Sequence, residues 1–345
     1  MKILLIIPYL GRLPQYFPAF LHSCNMLRGG VNILLLTDDS AIDRMAIPLC
    51  MKVVKTTFQE IAGRVASLSP KARLYSGYKL CDYKAMYGSI FKSECEGYDY
   101  WGYCDVDTLI GDIPGWLEKV DYQKYDRIGR AGHFTIYRNT PEVNNLWRMK
   151  LSRTVSADYV FGTTYPCCFD ERGMNDICMS QGISFLTDCG EANIEPFESL
   201  HLKTYGHVCS HDNLCEIFTW ERGHTYMYRR EGGVIHKSEV SYIHYSSRKQ
   251  MPIHDPLDDM VLITHEGFYH FDANRLEEYL DNYGRKDTPE EYEAFTRAQK
   301  KHWKQWRRNK MIFEFKTLGL VKALSNIIWR FNGLSLRTLL MRTKK

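Results

Sequence analysis

Two continuous apolar runs, Ile3 to Ile7 and Val31 to Leu36, bracket an amphipathic stretch from Gln15 to Leu27, and the second run closes on Thr37-Asp38-Asp39. Apolar residues at every position, not at every second one, belong to strands covered on both faces. Between the runs, Phe17, Phe20, Leu21, Cys24 and Leu27 recur at helical spacing. Strand, helix, strand and acidic turn is the opening of an α/β fold with a largely parallel sheet, whose ligands gather beyond the carboxyl ends of the strands.

The pattern continues downstream. Lys79 to Phe91 is helical in period, and Tyr98 to Cys104 reads as an aromatic strand that ends in Asp105-Val106-Asp107. Further strands are expected near Arg127 to Gly129, His133 to Tyr137, Ile183 to Leu186 and Val240 to Tyr245, with a hairpin turning at Gly223. Helices are expected from Thr140-Pro141-Glu142 and over Asp170 to Gln181. After Pro256 the character turns helical. Thr288-Pro289-Glu290-Glu291 combines a capping residue, Pro at the first helical position and Glu at the third, for a helix reaching about Asn309. The expectation is an α/β domain over 1–255 and a helical extension over 256–345.

Composition narrows the function class. With 345 residues, 44% hydrophobic and 25% charged, the chain is not disordered as a whole. It has no apolar stretch of about 18 residues to span a bilayer. The opening apolar run is too short for a secretory leader and meets Pro8 at once. Eleven cysteines, an odd number without a CxxC pair, suit a reducing cytosol. The net charge of +4 hides an asymmetry: Lys301 to Lys345 holds twelve Lys/Arg against Glu314 alone, leaving −7 for the rest. Leu320, Leu324, Ile327, Ile328, Phe331 and Leu334 share one helical face and Lys322, Arg330 and Arg337 lie opposite, the pattern of an in-plane membrane helix; a helix docked on the core is the alternative. The basic tail comes with no nucleic-acid module, so nucleic acid is not an expected partner.

The spacing of Asp105 and Asp107 has no weight by itself, because a chain with 21 aspartates produces such a pair by chance. Its position does: two carboxylates on the turn after a strand offer hard oxygen ligands to Mg²⁺ or Mn²⁺, which keep open positions for phosphate.

Strand-helix-strand followed by an aromatic strand ending in DxD resembles the GT-A class of nucleotide-sugar glycosyltransferases. More closely, Pro8-Tyr9, Tyr78-Lys79-Leu80-Cys81-Asp82-Tyr83-Lys84, Tyr98 to Asp107 and Gly132-His133-Phe134 resemble a poorly characterised bacterial family taken to be capsule or lipopolysaccharide glycosyltransferases, over roughly residues 1–250. The resemblance implies a mixed GT-A-type sheet flanked by helices, a UDP-linked or other nucleotide-sugar donor, and a glycan or polyprenyl-linked acceptor. It implies that Pro8 and Tyr9 border the base and that Asp38 or Asp39 approaches base or ribose. Asp82 and Lys84, with Lys79 as an alternative phosphate contact, would hold the donor. Asp107 would bind the metal, and Asp105 metal and ribose. Phe169-Asp170-Glu171-Arg172-Gly173-Met174-Asn175 resembles the D-Q-D-x-x-N segment of retaining galactosyltransferases and glycogenins, with Glu and Arg in place of Gln and the second Asp. Asp170 and Glu171 are thereby candidates for the reacting sugar. Ile243-His244-Tyr245-Ser246-Ser247-Arg248-Lys249 resembles the H-x-x-G-x-x-K-P-W end of that family without its Gly and Pro-Trp, implying His244 as third metal ligand and Arg248 or Lys249 on the diphosphate.

Two other readings stand beside this one. A sugar-nucleotidyltransferase would use a similar fold, but Leu10-Gly11-Arg12-Leu13-Pro14 is a poor substitute for its Gly-rich loop. A non-catalytic nucleotide- or glycan-binding protein would tolerate loss of Asp107. The basic tail would bring a cytosolic enzyme to the anionic cytoplasmic face of the inner membrane as a peripheral protein.

Overall fold

The alternation hidden inside the apolar runs sets the architecture. The computed structural model describes residues 2–151, 155–164, 166–205, 215–246, 248 and 251–320. In β1 (Ile3–Tyr9), Ile3, Leu5 and Ile7 enter one hydrophobic cluster while Leu4 and Ile6 enter another; β2 (Val31–Thr37) divides its leucines the same way. The expected double burial is therefore observed, one cluster on each face of a central sheet. With β3 (Met51–Lys55), β4 (Tyr100–Cys104), β6 (Arg127–Ala131), β7 (Phe134–Arg138) and β8 (Phe185–Leu186), that sheet runs in the order β3-β2-β1-β4-β7-β6-β8. β1 pairs parallel with both β2 and β4, and β7 is antiparallel to β4 and β6. The sheet is mixed, as expected, and helices Phe17–Cys24 and Phe58–Ala66 belong to its opposite faces. Order reverses at β1, which places the switch-point crevice at the carboxyl ends of β1 and β4.

A small sheet stands beside this crevice. It joins β5 (Thr108–Ile110), β13 (Tyr242–His244) and β9 (Ala192–Asn193). Beyond it, β10 (Cys215–Glu221) and β11 (His224–Glu231) form the expected hairpin across Arg222-Gly223, extended by β12 (Val234–Val240).

Residues after Pro256 correct the expected helical extension. Met260–Thr264 is β14, antiparallel to β10, and Gly267–His270 is β15. Val261, Leu262 and Ile263 are all buried there, so this stretch extends a covered sheet. Gly267, at φ +143°, passes so close to Pro252 O that a Cβ would lie 2.1 Å from it. One compact unit thus spans Met1–Asp287 and a second Thr288–Lys345. The second contains helix Pro289–Leu318, opened by the expected capping box, Thr288 N donating to Glu291 Oε2 (2.8 Å) and Glu291 N to Thr288 Oγ1 (3.3 Å). It outlasts the expected end at Asn309. Among the described residues no helix is long and apolar enough to cross a membrane. The amphipathic face expected over 320–337 lies outside the described residues beyond Leu320.

The segment expected as a helix over Lys79 to Phe91 is a ten-residue 3₁₀ run, Gly77–Met86, followed by one α turn, Tyr87–Ile90. Its three-residue period eclipses side chains at i and i+3, which sets Lys79 over Asp82. Over Asp170 to Gln181, a π turn at Phe169–Gly173 precedes helix Met174–Ser180.

Candidate functional site

The crevice at the ends of β1 and β4 is a cleft of about 420 Å³, a size suited to a small-molecule ligand. β1 contributes Pro8 and Tyr9, and the 3₁₀ run contributes Tyr78, Cys81 and Lys84. The turn after β4 contributes Asp105 and Asp107, and Tyr78 stands exposed at the edge.

Strand pairing assembles the acidic end of the cleft. Thr108 Oγ1 donates to Asp105 O (2.7 Å), which tightens the turn. β5 pairs with β13 in the register His244–Thr108, and Tyr245 N donates to Asp107 O (3.1 Å). A histidine 137 positions away is thus delivered to the turn: His244 Nε2 lies 3.6 Å from Asp107 Oδ1. The parallel pairing of β13 with β9 sets Asn193 beside His244, whose Nδ1 donates to Asn193 Oδ1 (2.8 Å). That bond turns Nε2 toward the carboxylates. His133 stacks on His244 with ring centroids 4.0 Å apart, and burial, with His244 beside it, pushes its pKa well down, so it is a neutral ring.

Asp105, Asp107 and His244 each offer one ligand atom, and these atoms lie within 4.8 Å of one another. Two carboxylates and an imidazole nitrogen are a donor set that could hold a metal ion.

Lys84 closes the other side. Its Nζ donates to Asp105 Oδ1 (2.5 Å) and to Gly132 O (2.7 Å). Burial opposes its charge, but Asp105 and Asp170 outweigh it and raise its pKa, so the ammonium stays charged. Burial, and then Asp107, raises the pKa of Asp105 against the pull of Lys84. Gly132 N in turn donates to Glu171 Oε1 (2.8 Å), and a Cβ on Gly132 would lie 2.7 Å from Asp170 Oδ2. Only a glycine lets both carboxylates approach this backbone. Asp170 is buried, and desolvation is the main cause that pushes its pKa up to about 7. Beneath it, Arg127, fully buried with Phe185 4.5 Å away, donates to Asp170 O (3.2 Å).

Other expected residues are placed differently. Lys79 and Asp82 form a buried ion pair (2.7 Å), and Asp82 also accepts from Cys167 N (2.8 and 2.9 Å) and Phe169 N (3.2 Å). This corrects their expected donor contacts: both are inside the protein, where they anchor the turn before Asp170. Arg248 is likewise corrected. Its guanidinium donates to the carbonyls of Leu200, Glu195 and Ser199, each at 2.9 Å, instead of facing the cleft. Asp38 accepts from Gly11 N (2.6 Å) and Asp39 from Leu13 N and Ala41 N (2.7 and 2.9 Å), so both shape the segment after β1. Lys249 lies outside the described residues. Sequence reasoning assigned no role to Asn193, His133, Gly132 or Arg127; of these, only Gly132-His133 fell within a quoted motif.

The chain belongs to a family of unknown function, DUF6625, whose model matches residues 5–272. No curated protein matches it. Among solved structures, the crystal structure of mouse xyloside xylosyltransferase 1 in its apo form is similar at 10% identity and a TM-score of 0.40, over 73% of this chain and 99% of that chain.

Proposed function

We propose that this chain is a metal-dependent GT-A-type glycosyltransferase that moves a sugar from a nucleotide diphosphate, UDP by preference, to a glycan or lipid-linked acceptor. The observation that carries the reading is the convergence of Asp105, Asp107 and His244 at the mouth of the switch-point cleft. At that trio Mn²⁺ or Mg²⁺, when bound, supplies charge neutralisation for the departing diphosphate. Lys84 adds a fixed ammonium beside it, in a site where burial makes each charge count for more. Tyr9 and Tyr78 line the same cleft and offer rings for the base. Asp170, whose pKa burial raises to about 7, and Glu171, held in place by Gly132 N, are the acids this reading assigns to the reacting sugar. The likeness of residues 169–176 to retaining enzymes favours retention. The family resemblance favours an acceptor of bacterial surface polysaccharide, met at the cytoplasmic face of the inner membrane.

The test is calorimetric UDP binding and donor-sugar hydrolysis, each with and without Mn²⁺, for the wild type and Asp107→Ala. Metal-dependent binding is expected to fall at least tenfold in the variant and hydrolysis to disappear. UDP binding indifferent to both metal and substitution would move the nucleotide away from this turn.

A further inference from the structure

Helices in water turn their large apolar side chains inward, and helix Pro289–Leu318 does not. Trp303, Trp306, Met311, Ile312 and Phe313 are all exposed within eleven residues. Trp303, Trp306, Lys310 and Phe313 follow at intervals of three, four and three, so they share one face. The two indoles meet edge to face at 5.6 Å, and Lys310 Nζ lies 5.1 Å from the centroid of Trp306. From Lys300 to Phe313 the sequence contains six cations and no carboxylate; the acids of this helix are Glu290, Glu291 and Glu293 at its start and Glu314 just after this stretch.

Few environments satisfy both features. A nucleic acid would pair the cations but leave Met311, Ile312 and Phe313 in water. An apolar protein groove would cover the rings and strand six charges. The interface of an anionic bilayer serves both: indoles settle at headgroup level, lysine and arginine stems run along the apolar layer, and their charged ends meet lipid phosphates.

We infer that residues 300–313 of this helix dock the chain on an anionic lipid surface. This segment precedes the one in which the sequence pattern places membrane contact. The inference stands on the exposed side chains and not on the glycosyltransferase reading, so vesicle binding can succeed or fail whatever the cleft does.

The experiment is co-sedimentation of the full chain with vesicles of equal parts phosphatidylglycerol and phosphatidylcholine, and with vesicles of phosphatidylcholine alone. Binding to the mixed vesicles only, weakened by salt, is expected. Each lost cation lowers such binding about fivefold, so Lys304→Gln/Arg307→Gln/Arg308→Gln should weaken it on the order of a hundredfold. Trp303→Ala/Trp306→Ala should weaken it at least tenfold, with the melting of the first unit unchanged in both variants. Lys322→Gln/Arg330→Gln/Arg337→Gln should keep most of the binding. Wild-type binding by both helix variants, or loss confined to the last variant, would overturn the inference. So would tighter binding to duplex DNA than to the vesicles, or a Trp variant whose only change is from dimer to monomer.

Discussion

Lys84 illustrates how one side chain can decide what a site binds. In the cleft it faces Asp105 directly and Asp170 through space, so it offsets a concentration of carboxylates that would otherwise repel a diphosphate. Lys84→Met should therefore weaken UDP binding by about 1.5–3 kcal/mol, the usual cost of losing a charged hydrogen-bond donor. Mn²⁺ alone should bind no more weakly, since the metal then meets Asp105 without a competing ammonium. Titration of each ligand separately checks this, and unchanged UDP affinity would place the phosphates elsewhere. The two aspartates were legible because a strand end and the turn after it are local features. His244 was legible only through resemblance, and Asn193 not at all. Its place beside His244 depends on β9 pairing with β13 across 51 positions, and no local pattern encodes that register.

Among the elements, the 3₁₀ run Gly77–Met86 and the π turn Phe169–Gly173 form one device. Asp82 sits on the first and accepts backbone amides at the start of the second, with Lys79 as its counter-ion. The apolar period of this stretch was visible in the sequence, but not that it winds with three residues per turn and buries its acid and its base together. Breaking a buried pair leaves one charge uncompensated, so Asp82→Ala should cost about 3–5 kcal/mol in a urea titration. Donor hydrolysis should fall with it, because Asp170 rides on the turn that Asp82 anchors. A variant as stable as the wild type that no longer binds UDP would return Asp82 to the donor site. The strands at Met260–Thr264 and Gly267–His270 make a related point: a five-residue apolar run fits helix or strand equally well, and only its partner β10 decides.

Across the whole of the first unit, stability leans on a loop that has little ladder of its own. Within residues 195–203, Arg248 takes the carbonyls of Glu195, Ser199 and Leu200, and Asp287, the last residue of the unit, accepts from Leu200 N (2.7 Å), His201 N (3.0 Å) and Ser199 Oγ (3.2 Å) and pairs with His201 Nδ1 (2.8 Å). A cation on the acceptors and an anion on the donors is a complementary way of satisfying buried backbone. It also makes stability depend on pH. Burial works against the Asp287 carboxylate, but the His201 side chain and the two amides outweigh it and bring its pKa down to about 2. A carboxyl depressed below its unfolded value of about 3.9 contributes stability that is present above that value and lost as pH falls through the folded one. Asp170 is shifted the other way, to about 7, so its contribution is present in acid and lost as pH rises through neutrality. The fold should therefore be most stable between these two titrations. Asp287→Asn should cost about 2 kcal/mol at pH 6, and the gap between variant and wild type should close as pH falls from about 4 to 2. Urea unfolding at a series of pH values measures this, and a gap that stays constant down to pH 2 would show that the carboxylate's charge does not hold the loop.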